Sequence, residues 1–454
     1  MGSKEVPDIF KAYDIRGIVD SELNPDFTFA TGAAFARFIM QEREPGTIVI
    51  GEDMRESSTP LADAFSAGVT SLGLDVIRIG LASTDMLYFA AGKLNMPGAM
   101  FTASHNPSQY NGIKLCLSGA KPIGKESGLA TIENFVRTGS PISLGNVGKE
   151  SQRNLLSDYV KHLHTLVDVS EIRKLKIVID AGNGMAGYTA PAIFDGLNAE
   201  IIPLYFELDG SFPNHEANPI DPKNLKDLQK AVKKHGADVG LAFDGDADRC
   251  FLVDENGETV NPSDLTALIA DRELKKYPGS SIIYNLISSR SVAEVIQENG
   301  GIALRSRVGH SYIKALMAQS GAIFGGEHSG HFYFKDFWRA DSGALAALHV
   351  IAALGSSKVS LSKLLKPYQR YFSSGEINSE VEDAQGAMSA IEQKYAQLES
   401  VTIDGLDGLT VNADTWWFNL RPSNTEPLLR LNVEAKTLAR MEKIKDEVLA
   451  TVRK

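Results

Sequence analysis

Ala99-Met100-Phe101-Thr102-Ala103-Ser104-His105-Asn106-Pro107 is an apolar run that ends in a polar loop. Its first three residues read as a buried strand, and Asn106-Pro107 is a turn signal. Ser104 is therefore expected at the mouth of a strand, exposed on a loop, where a small hydroxyl can carry a covalent group. A turn serine bonding its own backbone is the plainer reading of the same residues. What favours chemistry is that the pattern of strand followed by polar loop recurs along the chain.

Upstream, an amphipathic helix over 27–41 is closed by Pro45-Gly46. A strand over 47–51, a helix over 59–72 and a strand over 74–79 then lead to the Ser104 strand. The same order returns with a strand over 175–180, a second over 199–204 and a third over 238–243. The third runs into Asp244-Gly245-Asp246-Ala247-Asp248-Arg249. It returns again over 281–286, 302–304 and 322–324, and ends in Gly326-Glu327-His328-Ser329-Gly330-His331. Alternating strands and helices predict α/β units. Ligands of such sheets bind at the carboxyl ends of strands, where all three polar loops fall. From residue 373 the pattern changes. A charged boundary at 374–376, a helix over 386–398, strands over 401–409, 414–421 and 428–434 and a helix over 438–452 predict a small α+β domain. The fold class expected is α/β: three related α/β domains with mixed sheets, then a C-terminal α+β domain. The boundaries expected are 1–152, 153–256, 257–368 and 369–454.

A chain of 454 residues is long enough for three or four such domains. Its 43% apolar and 23% charged content is ordinary for a soluble globular protein. A net charge of −11 disfavours nucleic acid as a partner, and an anionic substrate needs a local basic cluster. Two cysteines, Cys116 and Cys250, give no disulfide framework. The longest apolar run, 344–354, contains His349 and is too short to span a bilayer. Ile9-Phe10 lies between charges and does not read as a secretory signal. A cytoplasmic enzyme without membrane contact is expected, as a monomer or a dimer.

Three carboxylates at alternate positions of an extended segment, Asp244, Asp246 and Asp248, face one way and repel unless a cation lies among them. Oxygen-only ligands favour Mg2+. A Ca2+ loop of the EF-hand kind fits Glu255 at its twelfth position but would need Gly where Arg249 stands. Arg249 beside the carboxylates would tie the loop to a bound phosphoryl group. Glu327 and Ser329 could bond vicinal sugar hydroxyls, or simply close a Gly-rich turn. Arg421-Pro422-Ser423-Asn424-Thr425-Glu426-Pro427 offers cation, hydroxyls and amide to a phosphate; an ordinary Pro-rich hairpin loop is the alternative. His310 and Lys114 are surface residues or, next to a metal and a phosphate, acid–base groups.

In their order and separation, 102–107, 244–249, 326–331 and 421–427 resemble the four signature loops of the α-D-phosphohexomutase superfamily, and 11–17 resembles its N-terminal signature. The resemblance covers the whole chain and implies four domains around a central cleft. It implies a phosphorylated Ser104 as donor, with a phosphoserine oxygen joining Asp244, Asp246 and Asp248 around Mg2+. Glu327, Ser329 and His331 are implied to contact the sugar. Arg421, Ser423, Asn424, Thr425 and Arg430 are implied to hold the phosphate that is not transferred. Tyr13, Arg16, His105, Lys114, Arg249 and His310 are implied to line the site and move protons or offset charge, and Arg290 to contact substrate. The implied reaction interconverts hexose 6-phosphates and hexose 1-phosphates through a hexose 1,6-bisphosphate. Gly-Glu-His-Ser-Gly-His is most similar to phosphomannomutases and dual phosphomannomutase/phosphoglucomutases. A phosphoglucosamine mutase, a Mg2+-dependent phosphatase and a non-catalytic sugar-phosphate-binding protein are the alternatives.

Overall fold

The computed structural model of the protein describes residues 8–139, 145–422 and 428–453, with the backbone alone at His310. The chain forms two compact units: Met1–Pro262 with Ser329–Leu364, and Ser263–His328 with Leu365–Lys454.

The threefold rhythm of the sequence is a threefold repeat of sheet topology. In the first sheet, Thr47–Glu52 lies between Asp75–Leu81 and Gly98–Phe101, parallel to both. In the second, Leu175–Asp180 lies between Ala199–Leu204 and Val239–Phe243, again parallel to both. In the third, Ser281–Asn285 lies between Ile302–Ser306 and Phe324–Gly326 in the same way. The central strand of each sheet carries an apolar, fully buried run, Ile48-Val49-Ile50, Ile177-Val178-Ile179 and Ile282-Ile283, the pattern of a parallel strand buried on both faces. In the first two sheets the third strand also pairs antiparallel with its successor. Gly98–Phe101 pairs Tyr110–Leu117, and Val239–Phe243 pairs Cys250–Asp254. The sheets are mixed for this reason, and the tight return after each third strand makes the functional loop short and fixed.

The cores follow from this layering. Phe101 meets Phe65 edge to face, with centroids 5.5 Å apart, beneath the Ser104 loop. Each such buried ring contributes about 1.5–3 kcal/mol of hydrophobic stabilisation. The apolar run read over 344–354 is the helix Gly343–Gly355, buried throughout. Among the described residues no helix is long and apolar enough to cross a membrane. Neither cysteine forms a disulfide, and both are buried.

The C-terminal domain is an antiparallel sheet in the order Phe372–Glu380, Leu428–Ala435, Trp416–Pro422, Leu409–Ala413, Val401–Asp404. Helices Ala384–Tyr395 and Leu438–Val452 cover it through Ile391, Tyr395, Met441, Ile444 and Val448. Two expectations are corrected here. The strand read over 401–409 is two strands joined by a hairpin turn, in which Gly408 takes φ +72°. Gly405-Leu406-Asp407-Gly408 is turn chemistry inside an otherwise strand-like run. The charged boundary at 374–376 lies inside a strand, where the register shifts between Ser373 and Glu376 and Gly375 takes φ +67°. A bulge of this kind tolerates the glycine and re-aims the residue after it.

Candidate active site

In the first unit, the Ser104 loop and the aspartate loop meet. Ser104 is 2% exposed, which corrects the expectation of an exposed hydroxyl. Gly245 covers it: a Cβ there would lie 2.4 Å from the Ser104 carbonyl oxygen. Ser104 takes φ +50°, the left-handed region that non-glycine residues enter only when held there. Its N–H donates to Thr102 Oγ1 at 2.9 Å. Its Oγ donates to Asp244 Oδ2 at 2.8 Å and lies 3.1 Å from His105 Nδ1.

Asp244, Asp246 and Asp248 are buried, and oxygens from all three fall within 4.8 Å of one another. They do not converge by strand alternation, as the spacing suggested. The loop is a tight turn in which Ala247 takes φ +59° and its N–H returns to the Asp244 carbonyl at 3.0 Å. The turn is backed by Gly343, where a Cβ would fall 2.8 Å from the Ala247 carbonyl oxygen.

Cations surround the carboxylates. Lys114 projects from Tyr110–Leu117, and its Nζ donates to Asp246 Oδ2 and Asp248 Oδ2, at 2.7 Å each. Arg249 Nε lies 3.5 Å from Asp244 Oδ2 and 3.2 Å from His331 Nε2. His331 Nε2 is also 3.4 Å from Asp248 Oδ1, and its Nδ1 is 2.9 Å from Ser329 Oγ. Arg16 bonds Asp14 and Asn106 at the edge of the Ser104 loop. Tyr13 lies in the bend just before it, half-buried.

This charge balance sets the titrations. Burial pushes the Asp244 carboxyl well above its ordinary range, and Asp246 and Asp248 add to that. Burial also opposes ionisation of Asp248, but Lys114, His331 and Arg249 overcome it and hold that carboxyl well below its usual range. Burial would lower Lys114; Asp246 and Asp248 reverse this and raise it well above its usual value. His105 is held well below its ordinary value by burial, then by Arg249, Arg16 and His331, so its imidazole is neutral.

The donor set fits a hard divalent cation. The three aspartates offer only oxygen, and among the described residues Asp246 Oδ1 is buried without a hydrogen-bond partner. Sequence reasoning missed Thr84. This residue opens the helix Thr84–Leu94 and bonds Asp246 twice: Oγ1 to Oδ2 at 2.6 Å and N–H to the carbonyl at 3.0 Å. Its only signal is an N-terminal Ser83-Thr84-Asp85 cap.

In the second unit, Glu327 is buried and accepts from Gly309 N at 3.0 Å, which fixes the start of the helix His310–Ser320. Arg421 and Arg430 sit directly opposite one another on neighbouring strands. Glu376, re-aimed by the bulge, bridges them: Arg421 Nη2 donates to Oε2 at 2.8 Å, and Arg430 Nη1 is 3.5 Å from Oε1. Like charges opposite each other destabilise a sheet, and one carboxylate leaves this pair with a net positive charge. Among the described residues, Arg421 Nε is buried without a hydrogen-bond partner. Ser423, Asn424 and Thr425 lie outside the described residues, as does the His310 side chain. Arg290 caps backbone of the C-terminal domain. Its Nη1 donates to the carbonyls of Ala413 and Asp414, at 2.9 and 3.0 Å, and its N–H to Glu434.

Four family models match in order, each described as phosphoglucomutase/phosphomannomutase. The alpha/beta/alpha domains I, II and III match residues 7–142, 157–257 and 261–371, and the C-terminal domain matches 376–451. A phosphomannomutase of Escherichia coli K12 is 40% identical over 94% of each chain. A phosphomannomutase/phosphoglucomutase of Pseudomonas putida is 37% identical over 97% of this chain and 95% of its own. The crystal structure of a phosphoglucomutase/phosphomannomutase family protein from Burkholderia thailandensis superposes with a TM-score of 0.89. It is 32% identical and covers 98% of this chain and 97% of its own.

Proposed function

The chain belongs to the phosphoglucomutase/phosphomannomutase family of α-D-phosphohexomutases, isomerases that interconvert hexose 6-phosphates and hexose 1-phosphates, and from that premise we propose its substrate and chemistry. The substrate is mannose phosphate, with glucose phosphates as further substrates; the names of its relatives support this. The observation that carries the mechanism is the bond from Ser104 Oγ to Asp244 inside the aspartate cluster.

In this reading Ser104 carries a phosphoryl group. The bond from phosphorus to Ser104 Oγ breaks as a bond forms to the free hydroxyl oxygen of a hexose monophosphate. The hexose 1,6-bisphosphate turns round and returns its other phosphoryl group to Ser104, so the net change moves phosphate between O6 and O1. Asp244, Asp246 and Asp248 would hold Mg2+, which would offset negative charge on the transferred group. Arg249 offsets the same charge from the protein side. His105 and Lys114, nearest to Ser104 Oγ and the aspartates, move the proton between sugar hydroxyl and serine. Glu327 and Ser329 orient the sugar. Arg421 and Arg430, with Ser423, Asn424 and Thr425, grip the phosphate that is not transferred.

Progress curves with mannose, glucose and glucosamine 6-phosphates, each followed by phosphorus NMR, test the substrate. Turnover of mannose 6-phosphate to mannose 1-phosphate, dependent on Mg2+ and stimulated by hexose 1,6-bisphosphate, is expected. Preference for glucosamine phosphate would overturn the substrate assignment, and release of inorganic phosphate would make the protein a phosphatase.

A further inference from the structure

The chemistry above makes no use of Arg55, yet this buried arginine bonds four backbone carbonyls of residues 104–110. It follows the strand Thr47–Glu52 and is 3% exposed. Its Nε donates to Asp53 Oδ2 at 3.2 Å. Nη1 donates to the carbonyls of Pro107 and Tyr110, at 2.9 and 3.0 Å. Nη2 donates to the carbonyls of Ser104 and Asn106, at 3.0 and 2.7 Å. A guanidinium has five N–H groups, and these bonds use every one, so none is left for a phosphate. The Phe212 ring covers the group, 5.0 Å from its centroid. Asp53 is itself fixed, accepting from Arg55 N at 3.0 Å and from Ser58 Oγ at 2.6 Å.

The loop needs such a hold. Ser104 sits at φ +50°, a strained conformation that persists only when surrounding structure over-determines it. Loops with few partners open locally far more readily than strands. One planar cation that collects carbonyls from both ends of the loop fixes where Oγ points, without contact to any substrate.

We propose that Arg55 is a positioning residue for phosphoryl transfer: it clamps the loop 104–110 so that Ser104 keeps its left-handed backbone and its Oγ stays against Asp244. The proposal rests on Ser104 being the phosphoryl carrier. Lysine has three donors on a point charge and cannot reproduce the planar fork, so R55K is the discriminating variant.

Expected for R55K is a fall in kcat of roughly tenfold to a hundredfold, the penalty of slight misplacement of a reacting group. KM should stay within about twofold, because no binding interaction is lost. Wild-type kcat in folded R55K would overturn the proposal. So would a rise in KM that accounts for the whole loss of kcat/KM, since Arg55 would then be a substrate contact. If R55K does not fold, hydrogen–deuterium exchange on the wild-type protein decides. Amides of Ser104, Asn106 and Tyr110 should be protected like those of Thr47–Glu52, and free exchange of the loop beside a protected strand would overturn the clamp. S104A separates the two readings. If S104A keeps full activity, the carrier assignment fails, whereas the exchange experiment judges the clamp independently of chemistry.

Discussion

The ammonium of Lys114 lies 2.7 Å from Oδ2 of Asp246, within the same group of oxygens that offers itself to a divalent cation. Lysine and a bound metal would therefore compete for one carboxylate charge. Lys114→Met removes the competitor and should tighten Mg2+ binding by about an order of magnitude in the absence of substrate, on Coulomb grounds. Turnover should nevertheless fall by roughly a hundredfold, through loss of the proton-handling group. Calorimetric titration of Mg2+ into wild type and variant, set beside their kcat values, checks both halves. Weaker Mg2+ binding in the variant would mean that Lys114 organises the carboxylates rather than opposing the metal.

Gly245 holds its place by close approach rather than by a special φ. Any Cβ there would lie 2.4 Å from the Ser104 carbonyl oxygen. Gly245→Ala should force the serine and aspartate loops apart. The fold should lose about 1–3 kcal/mol, as for other overpacked sites, while kcat falls by roughly a hundredfold or more. Thermal unfolding and steady-state kinetics measured together separate the two. An equal, small loss in both would show that the loops tolerate the separation.

Much of this was legible in the sequence because hydrophobic runs bounded by polar loops carry their own boundaries. Leu175–Asp180, Ala199–Leu204 and Leu438–Val452 begin and end where the pattern predicts. The three third strands end in the three polar loops, as expected. Other features left no local signal. Thr84 and Arg55 act through contacts with residues more than forty positions away, 84 with 246 and 55 with 104–110. Glu376 looked like a domain boundary because a bulge hides the strand that carries it. The aspartates were read correctly as a cluster, but for a reason the structure replaces. A left-handed turn at Ala247, not extended alternation, brings them together.

Asp264 supplies a pH dependence away from the candidate site. It is buried at the start of the helix Pro262–Lys276 and bonded by Gln369 Nε2 at 3.2 Å. Burial, set against that bond and reinforced by Glu434, pushes its carboxyl up from 3.8 to about 6. Its folded value lies above its unfolded one, so its favourable contribution is complete below pH 3.8 and disappears as pH rises through about 6. Above that, ionised Asp264 costs on the order of 2–3 kcal/mol. Asp264→Asn should raise the unfolding midpoint at pH 8, and the gain should shrink toward pH 4. A gain that does not vary with pH would refute the titration.

Arg421 and Arg430 share Glu376 and are proposed to grip the phosphate that is not being transferred. Arg421→Ala removes a planar, charge-assisted donor, worth about 1.5–3 kcal/mol. kcat/KM should drop by roughly tenfold to a hundredfold. Both substrate orientations use this site, so forward and reverse reactions should suffer alike, and more bisphosphate should escape before its second transfer. Kinetics in both directions with detection of free bisphosphate test this; a defect in one direction alone would contradict it.

The central claim is that Ser104 carries the phosphoryl group through turnover. The direct measurement is intact mass with peptide mapping of protein quenched during steady-state turnover of mannose 6-phosphate, in wild type and in Ser104→Ala. The expected result is one phosphoryl group on the peptide containing Ser104, its exchange with phosphate from the sugar on the timescale of turnover, and loss of both label and activity in Ser104→Ala. An unmodified Ser104 in enzyme that is turning over, or a Ser104→Ala variant with wild-type activity, would contradict it.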